Sequence, residues 1–184
     1  EVHRVVRRPE VADVITVPLS DLLDRADLVT GRVEAVDREV RSVTLDDGGE
    51  LGYDVLAVCL GSVTADYGIP GVREYGVPLK SVPDAERIRE SFLALDDEAR
   101  VVVGGAGLSG VQVAGELAAL GREEGMGADV VLLEQESDVA PSFPENFRRA
   151  VRSELTECGV DVWTDTTVTA VTDDEVQTDD GTLD

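Results

Sequence analysis

The chain predicts an α/β fold in which a parallel sheet with flanking helices is joined to a β-hairpin meander, and three observations carry that prediction. The apolar run Val101-Val102-Val103 enters Gly104-Gly105-Ala106-Gly107-Leu108-Ser109-Gly110, a helical pattern follows, and Val130-Val131-Leu132-Leu133 closes on Glu134. A second helical pattern and Val160-Asp161-Val162-Trp163 extend the alternation, and a strand, helix, strand, helix, strand order over 101–163 argues for parallel strands joined by right-handed crossovers. Upstream, 32–36, 42–45 and 51–60 read as strands by alternation or apolar content, with Asp47-Gly48-Gly49 as the turn between the last two, which form a hairpin.

Taken in order, the elements have local causes. Residues 1–30 read as a basic, loosely held leader containing His3, then Ile15-Thr16-Val17-Pro18 and a short helical pattern at Leu19, Leu22 and Leu23. The third upstream strand ends in Val55-Leu56-Ala57-Val58-Cys59-Leu60 before Gly61-Ser62, and a loop with Gly68, Pro70 and Gly71 leads to Leu79-Lys80-Ser81. Ser81-Val82-Pro83-Asp84 starts a helix, with Ser81 as N-cap, Pro83 in the first turn and Asp84 as the capping-box acid; Ile88, Phe92 and Leu95 share one face. A further helix presents Phe147, Val151 and Leu155 and stops at Gly159. Val168–Val171 reads as a strand, and 176–183 as a hairpin around Asp179-Asp180-Gly181. Trp163 reads as a packing residue.

The glycine segment has the spacing of a Rossmann-like dinucleotide turn. Gly105 suits the tight turn, Gly107 lets a pyrophosphate approach the main chain, and Gly110 lets the helix lie close to its strand. Ala106, Leu108 and Ser109 complete the set of backbone contacts. The helix begins there with amides that lack internal acceptors and a dipole that favours an anion, so no basic side chain is required and none is present in the segment. Glu134 follows near the ~20-residue offset of an acid that accepts from the adenosine ribose hydroxyls. Gln135, Glu136 and Ser137 bring no positive charge to a 2′-phosphate, which favours NAD(H) over NADP(H). The fingerprint alone also fits FAD, or a glycine turn that binds nothing.

Composition narrows the rest. With 184 residues and 42% hydrophobic content, the chain suffices for one or two modest domains. No apolar run approaches the ~20 residues of a membrane span, and no signal sequence is visible, so a cytoplasmic setting is expected. Asp plus Glu number 39 against 16 Lys plus Arg, a net charge of −23 that repels nucleic acid and strains the compact state unless counterions screen it. The acids are spread along the chain, a halophilic composition, and molar KCl is expected to stabilise the fold. Cys59, in an apolar strand, and Cys158, at a helix end, read as buried, inert thiols. Together with the lone His3 they offer no metal-ligand or catalytic cluster.

The order of motifs resembles the two-dinucleotide-binding flavoprotein reductases of the pyridine nucleotide-disulfide oxidoreductase family, and within them the type II NADH dehydrogenases. The resemblance rests on Val43-Thr44-Leu45-Asp46-Asp47-Gly48, Tyr53-Asp54, Leu60-Gly61-Ser62, Tyr67-Gly68-Ile69-Pro70-Gly71-Val72, Leu79-Lys80-Ser81, Asp84-Ala85 and residues 103–116. It implies a partial FAD-binding domain at 1–72, a linker and helix at 73–98, and an NAD-binding domain at 99–184. It further implies hydride transfer from NADH to FAD in a longer parent protein and then to an acceptor such as quinone. The backbone of Val33 and Gly61 would be the flavin-side contacts left in this chain. A soluble ferredoxin or disulfide reductase and a non-catalytic NADH-sensing module are the rival readings.

The resemblance also implies a parent that sits in the cytoplasm or peripherally on the inner face of the membrane. An incomplete flavin half would expose apolar surface and promote self-association. One position departs from the family pattern. Where the family often carries Glu, two residues past the third glycine, this chain has Gln112, which can hydrogen-bond the nicotinamide carboxamide but cannot relay a proton. Glu116, one turn on, reads equally well as a structural helix acid.

Overall fold

The structure, a computed structural model, describes residues 1–184. In chain order the elements are α1 (His3–Arg7), α2 (Val11–Ile15), a 3-10 turn at Leu19–Asp21, β1 (Val33–Asp37), β2 (Ser42–Leu45), β3 (Glu50–Gly52), α3 (Val72–Tyr75) and α4 (Val82–Leu93). Then follow β4 (Arg100–Gly104), α5 (Leu108–Glu124), β5 (Asp129–Leu133), α6 (Glu145–Glu157), β6 (Asp161–Trp163), β7 (Val168–Val171), β8 (Val176–Thr178) and β9 (Thr182–Leu183). They fall into two compact units, Glu1–Ile15 with Val63–Asp184, and Thr16–Ser62.

In the larger unit, β4, β5 and β6 pair in parallel in that order, as the strand-helix alternation predicts. The apolar run of β5 is continuous because both of its faces are covered. Val130 and Leu132 enter a core with Ala114, Leu117 and Leu120 of α5 and Phe92 of α4, whereas Val131 and Leu133 meet Leu183, Val168 and Val176 from the antiparallel β7-β8-β9 sheet. Leu132 is fully buried, which stabilises the fold by ~1.5–3 kcal/mol over an exposed side chain. On α6, Leu155 is buried and Val151 half-buried, and Phe147 is partly exposed, its ring packed against Phe143 with ring centroids 4.7 Å apart.

Helix α4 starts as its sequence requires. The Ser81 amide donates to Asp84 Oδ2 at 2.9 Å and the Asp84 amide donates to Ser81 Oγ at 3.4 Å, a reciprocal capping box. Ser81→Ala is expected to cost ~1 kcal/mol, which a thermal melt would register as a fall of about 2–4 °C for a chain of this size. Burial works upward on the Asp84 carboxyl, but hydrogen bonds from the Ser81 hydroxyl and the Lys80 and Ser81 amides outweigh it and hold its pKa below the usual carboxylate range. The stability it contributes is therefore full above the ordinary value near ~4 and disappears as pH falls through the lowered folded value.

The N-terminal segment is not a loose leader. Val2, Val5 and Val6 lie on one face of α1; Val5 and Val6 are fully buried, and α1 packs on α4 and α5. Arg89 Nη1 donates to the last carbonyls of α1, Val6 O at 3.1 Å and Arg7 O at 2.9 Å, while Arg7 reaches Glu116 and Glu123 on α5. Hydrophobic contact and helix-end capping together attach residues 1–15 to the larger unit.

The smaller unit is the antiparallel meander β1-β2-β3, with the β2-β3 hairpin closed by Asp47, whose Oδ1 accepts from the Gly49 amide at 2.8 Å. Its third strand is shorter than 51–60. It covers Glu50–Gly52, and residues 55–60 form no ladder, with Val55 at 89% and Leu60 at 83% exposure. An apolar run becomes a strand only where a neighbour takes up its amides and carbonyls, and no strand of this unit pairs with it. Cys59 is consequently exposed, not buried, and Cys158 is half-buried at the α6 C-cap. No helix is long and apolar enough to cross a membrane.

Candidate dinucleotide-binding site

The glycine turn joins the end of β4 to the start of α5. Gly105 has φ +89°, a left-handed conformation that side chains resist, and its amide donates to Leu133 O at 2.7 Å, tying the turn to β5. A Cβ on Gly110 would sit 1.8 Å from Gly105 O, so the close approach of helix and turn excludes any side chain there. Gly107 differs from both. It is the N-cap of α5 with φ −65° and ψ 174°, angles open to any residue, and a Cβ there would meet no protein atom within 4 Å. Neither backbone conformation nor packing accounts for glycine at 107.

Helix α5 begins with its donors free. The Val111 amide is the first to bond back, to Gly107 O at 3.0 Å, and the amides of the first turn have no intrahelical acceptor. Leu108 and Ser109 lie exposed beside Gly107, and Ala106 is fully buried beneath it. The Ala106 carbonyl accepts from the Ala140 amide at 2.8 Å, which holds the loop after β5 against the turn.

Glu134 stands at the end of β5 and is only 7% exposed. Its main chain is fixed by β6 and the segment after it: the Glu134 amide donates to Trp163 O at 2.8 Å and the Thr166 amide donates to Glu134 O at 3.0 Å. Its carboxylate accepts from the Ala106 amide at 2.7 Å through Oε2 and from the Glu136 amide at 2.9 Å through Oε1. A carboxylate has about four lone-pair sites, so two remain for further donors. Glu134 is expected from the sequence at the end of this strand as an acid for the ribose hydroxyls; its bonds to Ala106 and Glu136 are visible only in the fold.

Two further basic residues come to the same loop through α6. Arg148 Nη1 lies 3.4 Å from Asp138 Oδ2 and Arg152 Nη2 lies 3.2 Å from Asp138 Oδ1. Their i, i+4 spacing on one helix face was the available signal, and the reading of 135–137 alone does not reach them. Asp138 engages both positive charges.

Gln112 is exposed on α5 in a groove shared with His3, Arg7 and Glu116, and that groove includes none of residues 105–110. Glu116 pairs with Arg7 Nε at 2.6 Å, and the carboxylate pushes the Arg7 guanidinium pKa up. It braces α1 on α5. Val33 and Gly61 lie in the smaller unit: Val33 opens β1 opposite Leu45, and Gly61 has φ +70° with open space where a Cβ would be. Trp163 is partly exposed, and its indole N–H donates to Asp161 Oδ2 at 2.7 Å.

A parallel strand, a glycine turn under a helix N-terminus and a second strand closed by an acid belong to a mixed α/β fold with a three-stranded parallel sheet flanked by helices. Residues 4–183 match the family described as pyridine nucleotide-disulphide oxidoreductase, and the chain belongs to that family. It is 30% identical over 172 residues to a demethylphylloquinone reductase of Synechocystis, covering 88% of this chain and 42% of that protein. It is 32% identical over 168 residues to an NADH dehydrogenase-like protein of Mycobacterium tuberculosis, covering 84% of this chain and 42% of the relative. The fold superposes on NDH2 of Plasmodium falciparum, solved in complex with NADH, with a TM-score of 0.82 at 20% identity, over 96% of this chain and 42% of that one. The chain thus spans less than half the length of the relatives it matches.

Proposed function

We propose that this chain is the NADH-binding portion of a flavin-dependent NADH:quinone-type oxidoreductase. The observation that carries the reading is Gly107, whose missing side chain opens space that the protein itself does not use, directly over free helix-start amides. A pyrophosphate seated there takes up Gly107, Leu108, Ser109 and Gly110 N–H groups and the favourable end of the helix dipole. Gly105 and Ala106 shape the turn, and Glu134 directs its remaining lone pairs to the adenosine ribose. Gln112 is assigned to the nicotinamide carboxamide by its position two residues past Gly110, although the groove it lines includes none of residues 105–110.

In the whole protein, FAD supplies hydride acceptance and passage of electrons to the acceptor. This chain contributes the Val33 backbone and Gly61, and the open left-handed turn at Gly61 suits close approach of a nucleotide. The quinone acceptor is supported by the kinship with a demethylphylloquinone reductase. A whole protein that works on the inner face of the membrane would meet that acceptor there.

Titration of the chain with reduced coenzymes tests the site. NADH is expected to bind saturably and NADPH at least about tenfold more weakly, since ~1.4 kcal/mol of repulsion between Glu134 and a 2′-phosphate suffices for that ratio. Equal affinities would remove Glu134 from the sugar site. For the redox reading, the full-length protein should purify yellow and bleach on addition of NADH; a colourless protein would refute it.

A further inference from the structure

We propose that Glu134 is also a positioning residue for the glycine turn, so that its carboxylate governs diphosphate binding independently of any contact with the sugar. The inference rests on the reading of residues 105–110 as a dinucleotide site and adds a second role to the acid. Across 28 residues of chain, Glu134 Oε2 accepts from the Ala106 amide at 2.7 Å, and the bond is buried.

The turn has few other means of holding its shape. Gly105 and Gly107 carry no side chains to pack, and Ala106 between them is fully buried. The backbone of residues 105–107 is pinned at four points: Gly105 N to Leu133 O, Ala106 O to Ala140 N, Gly107 O to Val111 N, and Ala106 N to Glu134. Only the last depends on a side chain. A buried amide that loses its acceptor is costly, so the peptide between Gly105 and Ala106 would rotate to find another. The next amides in the chain are the phosphate donors, and their directions would change with it.

The same carboxylate also accepts from the Glu136 amide at 2.9 Å, and that makes charge a requirement of the latch. Each oxygen meets one N–H donor. A glutamine at 134 keeps the shape but offers one acceptor and one donor, so one of the two amides would face an N–H. Charge-assisted bonds of this kind are about twice as strong as neutral ones.

Binding of ADP and of 2′,3′-dideoxy-ADP to the 184-residue chain and to Glu134→Gln, at a temperature where both are folded by circular dichroism, separates the two roles. Dideoxy-ADP has the diphosphate but no hydroxyls for an acid to accept from. The latch predicts that Glu134→Gln weakens dideoxy-ADP by about tenfold or more, and that Glu134→Asp, which keeps both acceptor oxygens, recovers part of the loss. Unchanged affinity for dideoxy-ADP, with ADP alone weakened, would confine Glu134 to the sugar and overturn the proposal. Failure of both ligands to bind the unaltered chain would instead remove the dinucleotide reading, and the latch with it. Should Glu134→Gln fail to fold, hydrogen exchange in the unaltered chain decides: the Ala106 amide is expected to be protected with and without ADP, and free exchange without ADP would overturn the latch.

Discussion

Gly110→Ala is expected to destabilise the chain by about 3 kcal/mol and to weaken NADH binding by at least about tenfold, because the new methyl group meets backbone and not a side chain that can swing away. Its Cβ would lie 1.8 Å from Gly105 O, whereas the nearest side-chain atom, Leu132 Cδ1, is at an ordinary 3.6 Å. Either α5 lifts from the turn or the Gly105 peptide rotates, and each displaces the amides that face the pyrophosphate. For a chain of this size the loss corresponds to a fall of about 6–12 °C in Tm. Gly107→Ala is the matched control. With φ −65° and no atom within 4 Å of its Cβ, it should melt within about 1 kcal/mol of the parent chain yet lose NADH affinity. If Gly107→Ala binds NADH normally, the open space at 107 does not receive the coenzyme, and the functional proposal fails at its central observation.

Gly71→Ala should cost about 4 kcal/mol of stability and leave NADH affinity in the folded population within about twofold of the parent value. Two penalties coincide there. Gly71 has φ +80°, and a Cβ would fall 1.7 Å from Val171 O and 2.8 Å from Val171 C on β7. The preceding residue is bonded to the same strand, since the Val171 amide donates to Pro70 O at 2.9 Å, so the loop cannot retreat without giving up that bond. Urea unfolding of the variant beside a coenzyme titration at low temperature checks both halves. A stability loss below about 1 kcal/mol would mean that the edge of β7 yields. A large drop in NADH affinity would mean that the Gly68–Gly71 loop contributes to the site.

Features specified by near neighbours in the chain are legible in the amino-acid order. Ser81, Pro83 and Asp84 lie within one turn of the helix they start, and the capping box forms as their types require. The strand-glycine-helix-strand order from 101 to 163 produces three parallel strands, and Asp47-Gly48-Gly49 closes its hairpin. Burial is less legible. Alternation and apolar content identify a surface that could be covered, but not what covers it. The same kind of apolar run is continuous core in β5, sandwiched between helices and the β7-β8-β9 sheet, and lies exposed and unpaired at 55–60. Basic residues around His3 suggest a solvated leader, although the i, i+3, i+4 spacing of Val2, Val5 and Val6 already marks a helix face; its docking depends on α4 and α5, more than seventy residues away.

For the candidate site, the sequence alone determined the glycine turn, the helix that follows it and the acid at the end of the next strand, because backbone angles, helix-start donors and strand length are properties of short segments. Only the folded chain decided that Glu134 turns inward onto the Ala106 amide, that Arg148 and Arg152 meet Asp138, and that Arg7 occupies Glu116. A side chain's partner is whatever the packing of distant elements brings within about 3 Å of it, and distance along the chain carries no information about that.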